Sequence, residues 1–110
     1  MIVERLTGVV EAVVIKDIQG LDPIHVYWVD VVPGVGYCTI TCYGAAWTCY
    51  FGAMGGRSIK QFFAAADVSY LANAMSHKPH LKEQMKHLVY LKKIVQAVKE
   101  SAVQSIAETS

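Results

Sequence analysis

Read for polarity alone, the chain changes character at Gly52. Before it, apolar and polar positions alternate; after it, apolar positions recur every three or four residues. Cys38, Ile40 and Cys42 fall in one register with Trp47, Cys49 and Phe51, while Tyr37, Thr39, Thr41 and Tyr43 fall in the other with Thr48 and Tyr50. Successive strand side chains leave opposite faces. The first set therefore predicts a core wall, and the second a face of hydroxyls and aromatic rings. Ile24, Val26 and Trp28 alternate with His25, Tyr27, Val29 and Val31 in the same way. Residues 2–16, rich in valine and isoleucine, predict a further strand with a bulge near Gly8. Turn chemistry at Ile18–Pro23, at Pro33–Gly36 and at Tyr43–Ala46, where Gly44 supplies the awkward dihedral, separates these segments. Four strands with short links make an antiparallel meander the simplest topology.

After the flexible loop Gly52–Ser58 the period becomes helical. Ser58 stands three residues before Gln61, the spacing of a capping box, and Ile59, Phe62 and Phe63 form a stripe. Asp67 is a suitable N-cap for a second short helix carrying Val68, Leu71 and Met75. A long amphipathic helix then runs from about Leu81 to about Ile106, with Leu88, Leu91, Val95 and Val98 on its apolar stripe. The fold class is α+β, a four-stranded antiparallel sheet followed by two short helices and one long C-terminal helix. Residues 1–110 form one domain: sheet over 1–52, short helices over 58–76, long helix over 80–107. Such a long helix either overhangs a sheet of ordinary strands or bends or frays after Val98 with a disordered tail. Its stripe, above all Leu88, Leu91, Val95 and Val98, is a candidate surface for homodimer formation.

Composition narrows the class. The chain is 54% apolar and 17% charged, against averages near one half and one quarter, so it is folded and short of charge, as a partly covered surface would be. Its net charge of +1 argues against bulk electrostatic attachment to nucleic acid. Residues 1–76 are mildly acidic, whereas residues 77–110 carry six lysines and three glutamates. That basic helix reads first as a solvated face. Three cysteines, an odd number, with no secretion signal at the N-terminus and no membrane-length apolar run, place the chain in a reducing cytoplasm.

Candidate chemistry is sparse. Cys38, Cys42 and Cys49 share the core face, but a closed zinc site needs four ligands, and stiff strands do not wrap a metal; they read as small buried hydrophobes. His77, His80 and His87 lack the spacing of a ligand pair and read as solvated. Asp30 interrupts an apolar strand, as a strand-end residue or as a buried acid paired with Arg5 or Arg57; no second acid is placed to share acid–base work. The glycine-rich loop puts Arg57 and Ser58 at a helix N-terminus, a candidate anion site beside the plainer reading of a structural turn. No metal, cofactor or catalytic residue is predicted, and the protein is read as no enzyme. The tyrosine–threonine face is open to three readings: a solvated sheet, a protein interface, or a platform for stacked bases.

The segments Ile40–Gly44, Ala46–Ser58, Phe62–Phe63, Tyr70–Asn73 and Tyr90–Val98 resemble, across nearly the whole chain, a family of small accessory proteins encoded by temperate bacteriophages and prophages. The resemblance brings no catalytic residues to transfer. It implies a bacterial cytoplasm during infection or lysogeny. In that setting, the lack of catalytic constellations leads us to expect a protein that binds a host protein or complex, most sharply an inhibitor of a host defence system of the anti-CRISPR kind. The partner contacts expected are the exposed aromatics and helix lysines Tyr37, Tyr43, Tyr50, Lys82, Lys86 and Lys93. The alternative is a nucleic-acid or nucleotide-binding protein that sequesters its ligand.

Overall fold

Four strands form one antiparallel sheet in sequence order: β1 (Val10–Ile15), β2 (Ile24–Val32), β3 (Val35–Cys42) and β4 (Ala45–Phe51). Helices α1 (Ile59–Ala65), α2 (Val68–Ser76) and α3 (Lys82–Thr109) follow. The computed structural model describes residues 1–5, 10–76 and 82–109, with the side chains of α3 described from His87 to Glu108. The expected bulge at Gly8, and His77 and His80, lie outside the described residues.

The meander follows from its turns. Tyr43 and Gly44 alone link β3 to β4, Cys42 pairing directly with Ala45. Both have positive φ, 51° and 74°, which is the type I′ geometry whose twist matches that of the strands. The link is thus two residues long, not the four read from the sequence. Pro33 and Gly34 (φ 82°) join β2 to β3 in the manner of a type II turn, whose twist suits a hairpin less well. An irregularity between Asp30 and Val32 absorbs the mismatch. Gly34 also anchors the glycine loop: its carbonyl accepts from the Met54 amide at 3.1 Å, and its amide donates to the Arg57 carbonyl at 3.3 Å.

The predicted core wall is the inner face. Ile24, Val26, Cys38 and Ile40 are fully buried, and Phe63 of α1 meets Trp28 edge-on at 5.1 Å and Phe51 at 6.1 Å. Both predicted caps are present. Ser58 and Gln61 complete a capping box on α1, and the Asp67 carboxylate accepts from the amides of Ser69 and Tyr70 in α2. The Lys99 ammonium of α3 donates to the Ala66 carbonyl at the end of α1.

Helix α3 crosses the inner face diagonally. Near its start the Tyr90 hydroxyl lies 3.6 Å from the Cys42 thiol at one end of the sheet. Fifteen residues on, Ser105 accepts at 2.9 Å from Lys60, which also grips both oxygens of Glu11 in β1 at 2.8 Å. Among the described side chains of α3, the apolar stripe is covered within the chain, because α1 and α2 widen the surface on which the helix lies. Leu91, Val95 and Val98 are fully buried in the single chain, and Leu88 nearly so. This corrects the self-association expectation for these four residues: they are spent on the chain's own core.

Candidate interaction surface

All three helices lie on the inner face, which leaves the other face of the sheet uncovered by the described chain. The strand registers set it out as three rows running from β1 to β4. The first row is Val14, His25, Thr41 and Ala46. The middle row is Ala12, Tyr27, Thr39 and Thr48. The last is Val10, Val29, Tyr37 and Tyr50. A two-residue hairpin makes Cys42–Ala45 a hydrogen-bonded pair, so Thr39–Thr48 and Tyr37–Tyr50 fall at non-hydrogen-bonded sites, where side chains approach most closely. Accordingly the threonine hydroxyls are 3.0 Å apart and the tyrosine ring centroids 5.0 Å apart.

None of these twelve positions carries Asp, Glu, Lys or Arg. At the average frequency of about one charged residue in four, about three would be expected on a solvated face. The strands hold two charged residues, Glu11 and Asp30, and both point inward, each held by α1. The uncovered face is therefore freer of charge than the covered one. Val10 and Val14 remain 43% exposed, Tyr37 40% and Tyr50 56%.

At one end of this face stands Tyr43, 82% exposed and held at φ 51°. Asp17, the other non-glycine residue at positive φ among the described residues, is of a type that tolerates this region; a tyrosine is not, and the left-handed conformation costs it about 1–2 kcal/mol. No hydrogen bond or ring contact of the Tyr43 side chain is present among the described residues. Beside it a notch of about 500 Å³ is lined by Asp22, Pro23, His25, Thr41 and Cys42, among others.

The other predicted sites are taken up internally. Asp30 pairs with neither Arg5 nor Arg57: its Oδ1 accepts from the Ile59 amide at 2.7 Å, so this carboxylate caps α1 from a strand 29 residues away. The Ser58 hydroxyl accepts from Gln61, and Arg57 is exposed. The amides on offer to an anion at Arg57 and Ser58 are thus engaged by the protein's own oxygens. Cys38, Cys42 and Cys49 are buried free thiols. Burial, with Cys49 alongside, pushes the Cys38 thiol well above its ordinary range, and burial raises Cys49 to about 11. The Tyr90 hydroxyl is pushed up to about 12, chiefly by its contact with Cys42. Among the described residues no group of three or more His, Cys, Asp or Glu is placed to hold a metal ion.

His87, read from the sequence as solvated, has a specific partner. Its Nε2 accepts from the Trp47 indole at 3.2 Å. The sequence separation of 40 residues left no local signal for this pair. Lys93 is exposed on α3, away from the tyrosine face; the side chains of Lys82 and Lys86 lie outside the described residues.

Fold and surface together define a small α+β protein with one face of its sheet closed by helices and the other open and free of Asp, Glu, Lys and Arg. Residues 3–109 match the profile of a protein family described as a phage family, and the chain belongs to that family. No curated protein and no solved structure matches it. No helix among the described residues is long and apolar enough to cross a membrane.

Proposed function

We propose that this phage protein acts without catalysing a reaction, by binding a protein of its bacterial host, and that in the sharpest form of this reading it inhibits a host defence complex. Tyr43 carries the proposal. A large aromatic ring is presented to solvent at the tip of a two-residue hairpin, in a conformation that a glycine or asparagine would adopt at less cost, and it makes no hydrogen bond or ring contact among the described residues. Strained backbone collects at functional positions, and tyrosine is among the residues that dominate binding energy at protein interfaces. Membership of a phage family supports a host partner. Tyr37 and Tyr50, and the lysines of α3, were the other contacts expected; Lys93 lies apart from the tyrosines.

Affinity capture from a host lysate tests the proposal, with the unaltered chain compared against Tyr43→Ala. A host protein retained by the first and lost with the second is the expected result. Retention of no host protein, or equal retention by both, overturns it. The inhibitor form predicts that expressing the chain lets a targeted phage plate on a strain carrying the captured defence complex, and that Tyr43→Ala abolishes this.

The alternative of a nucleic-acid or nucleotide binder draws on Arg57, Lys82, Lys86 and Lys93. It would show in a gel shift that weakens steeply with salt. The tyrosine face brings no cation to such a ligand.

A further inference from the structure

We infer that the open face of the sheet is covered by a second copy of this chain, the two sheets packing face to face about a two-fold axis that lies in the interface and runs across the strands along the Ala12–Thr48 row. Charge comes first. A face with no Asp, Glu, Lys or Arg meets its own copy without the repulsion of like carboxylates or ammonium groups and strands none of them away from water, whereas a partner with a charged surface would find no such group here to pair with.

Shape selects the axis. Along β3 and β4 the side chains grade from large to small: Tyr37 and Tyr50 at one end, Thr39 and Thr48 in the middle, Thr41 and Ala46 at the other. A two-fold axis across the strands keeps each strand over its counterpart and reverses its direction. The rings of Tyr37 and Tyr50 then stand over the hollow at Thr41 and Ala46 of the second copy, and the reverse contact is made at the other end. An axis along the strands would instead set the small end against the small end and leave a gap there.

The size of the face also fits. Four strands about 4.8 Å apart and six residues long give a face of about 20 by 20 Å. Two such faces present about 800 Å² in projection, and the standing rings raise the accessible area toward the ~1,200 Å² where stable interfaces begin. The pair is therefore of modest strength, with dissociation in the micromolar range, and it carries two Tyr43 tips directed to opposite ends. This inference does not rest on the host partner; it takes Tyr37 and Tyr50 for the seam and leaves Tyr43 free.

Sedimentation of the purified chain tests it. The unaltered chain sediments as a dimer at ~100 µM and dissociates on dilution. Thr39→Arg, which places a guanidinium beside the axis in both copies, gives a monomer at the same concentration with an unchanged circular dichroism spectrum. Tyr50→Glu and Ala46→Lys are each monomeric alone, and an equimolar mixture recovers a mixed dimer, because the two new charges meet at one end and the native contact survives at the other. A chain that stays monomeric at ~500 µM overturns the proposal, even where Thr39→Arg abolishes host capture, since the face then belongs to the host protein. A dimer that survives Thr39→Arg also overturns it. A mixture that stays monomeric overturns the axis.

Discussion

The same four strands make both faces of the sheet, and the two faces differ in what the rest of the chain does with them. The inner face carries Ile, Val, Cys, Trp and Phe under three helices, and tolerates two carboxylates at its margin because α1 supplies each with a partner. The outer face carries valines, threonines and tyrosines under none of the described helices, and has no Asp, Glu, Lys or Arg. Hydropathy separates the two faces, as the alternation along the strands requires, but charge does not. Exclusion of charge marks the outer face as strongly as the inner one, and a position from which charge is excluded is ordinarily one that loses contact with water.

The comparison breaks first on the inner side. Phe63 is fully buried between Trp28 and Phe51, so Phe63→Ala is expected to cost about 3–5 kcal/mol, read as a lower urea midpoint, with the transition slope showing whether the core still melts as one. Gly36 lies where β2, β3 and α1 converge. A methyl group there would stand 2.7 Å from the Val29 carbonyl oxygen and 3.2 Å from the Ile59 Cβ, so Gly36→Ala is expected to cost about 1–3 kcal/mol in the same measurement. Tyr43→Asn at the outer rim should move the other way, stabilising the monomer by about 1 kcal/mol as the positive φ becomes acceptable, while host capture is lost. A loss of stability from this substitution would show that the ring does hold the fold together.

The smallest effect sharpens the comparison by pH. Burial holds the Cys38 and Cys49 thiols above their ordinary value of 9, so folding favours the neutral form. That contribution is complete below pH 9 and is lost for Cys49 as the pH rises toward 11. Unfolding curves should show stability falling across this window, and less steeply in Cys49→Ala. A thiol-specific disulfide reagent at pH 8 should label none of the three cysteines before unfolding and all three after it. Rapid labelling of the folded chain would mean that α3 lifts from the inner face.

Much of this was legible in the sequence, for a local reason. Alternation from Tyr37 to Phe51, the Ser58–Gln61 spacing and the cap at Asp67 are signals within a few residues of one another, and each formed as read. What escaped was long-range. Nothing near Asp30 shows that its carboxylate will cap a helix 29 positions later, nor does anything near His87 point to Trp47. The apolar stripe of α3 was visible, but what would cover it was not: the residues that do so lie on α1, α2 and the sheet. Tyr43 was identifiable as an exposed aromatic, yet its strain was hidden, because the loop length that imposes positive φ on it is fixed by the pairing of Cys42 with Ala45.

The hydrogen bond from Trp47 to His87 gives the protein an optical signal of its own. With Trp28 replaced by phenylalanine, the remaining indole emits from the point where the start of α3 meets β4, its ring 5.7 Å from the imidazole. When α3 leaves the sheet, the buried indole loses this acceptor and enters water, which shifts its emission to the red. Emission from the single tryptophan thus reports the docking of the long helix in real time, in a molecule that carries no dye.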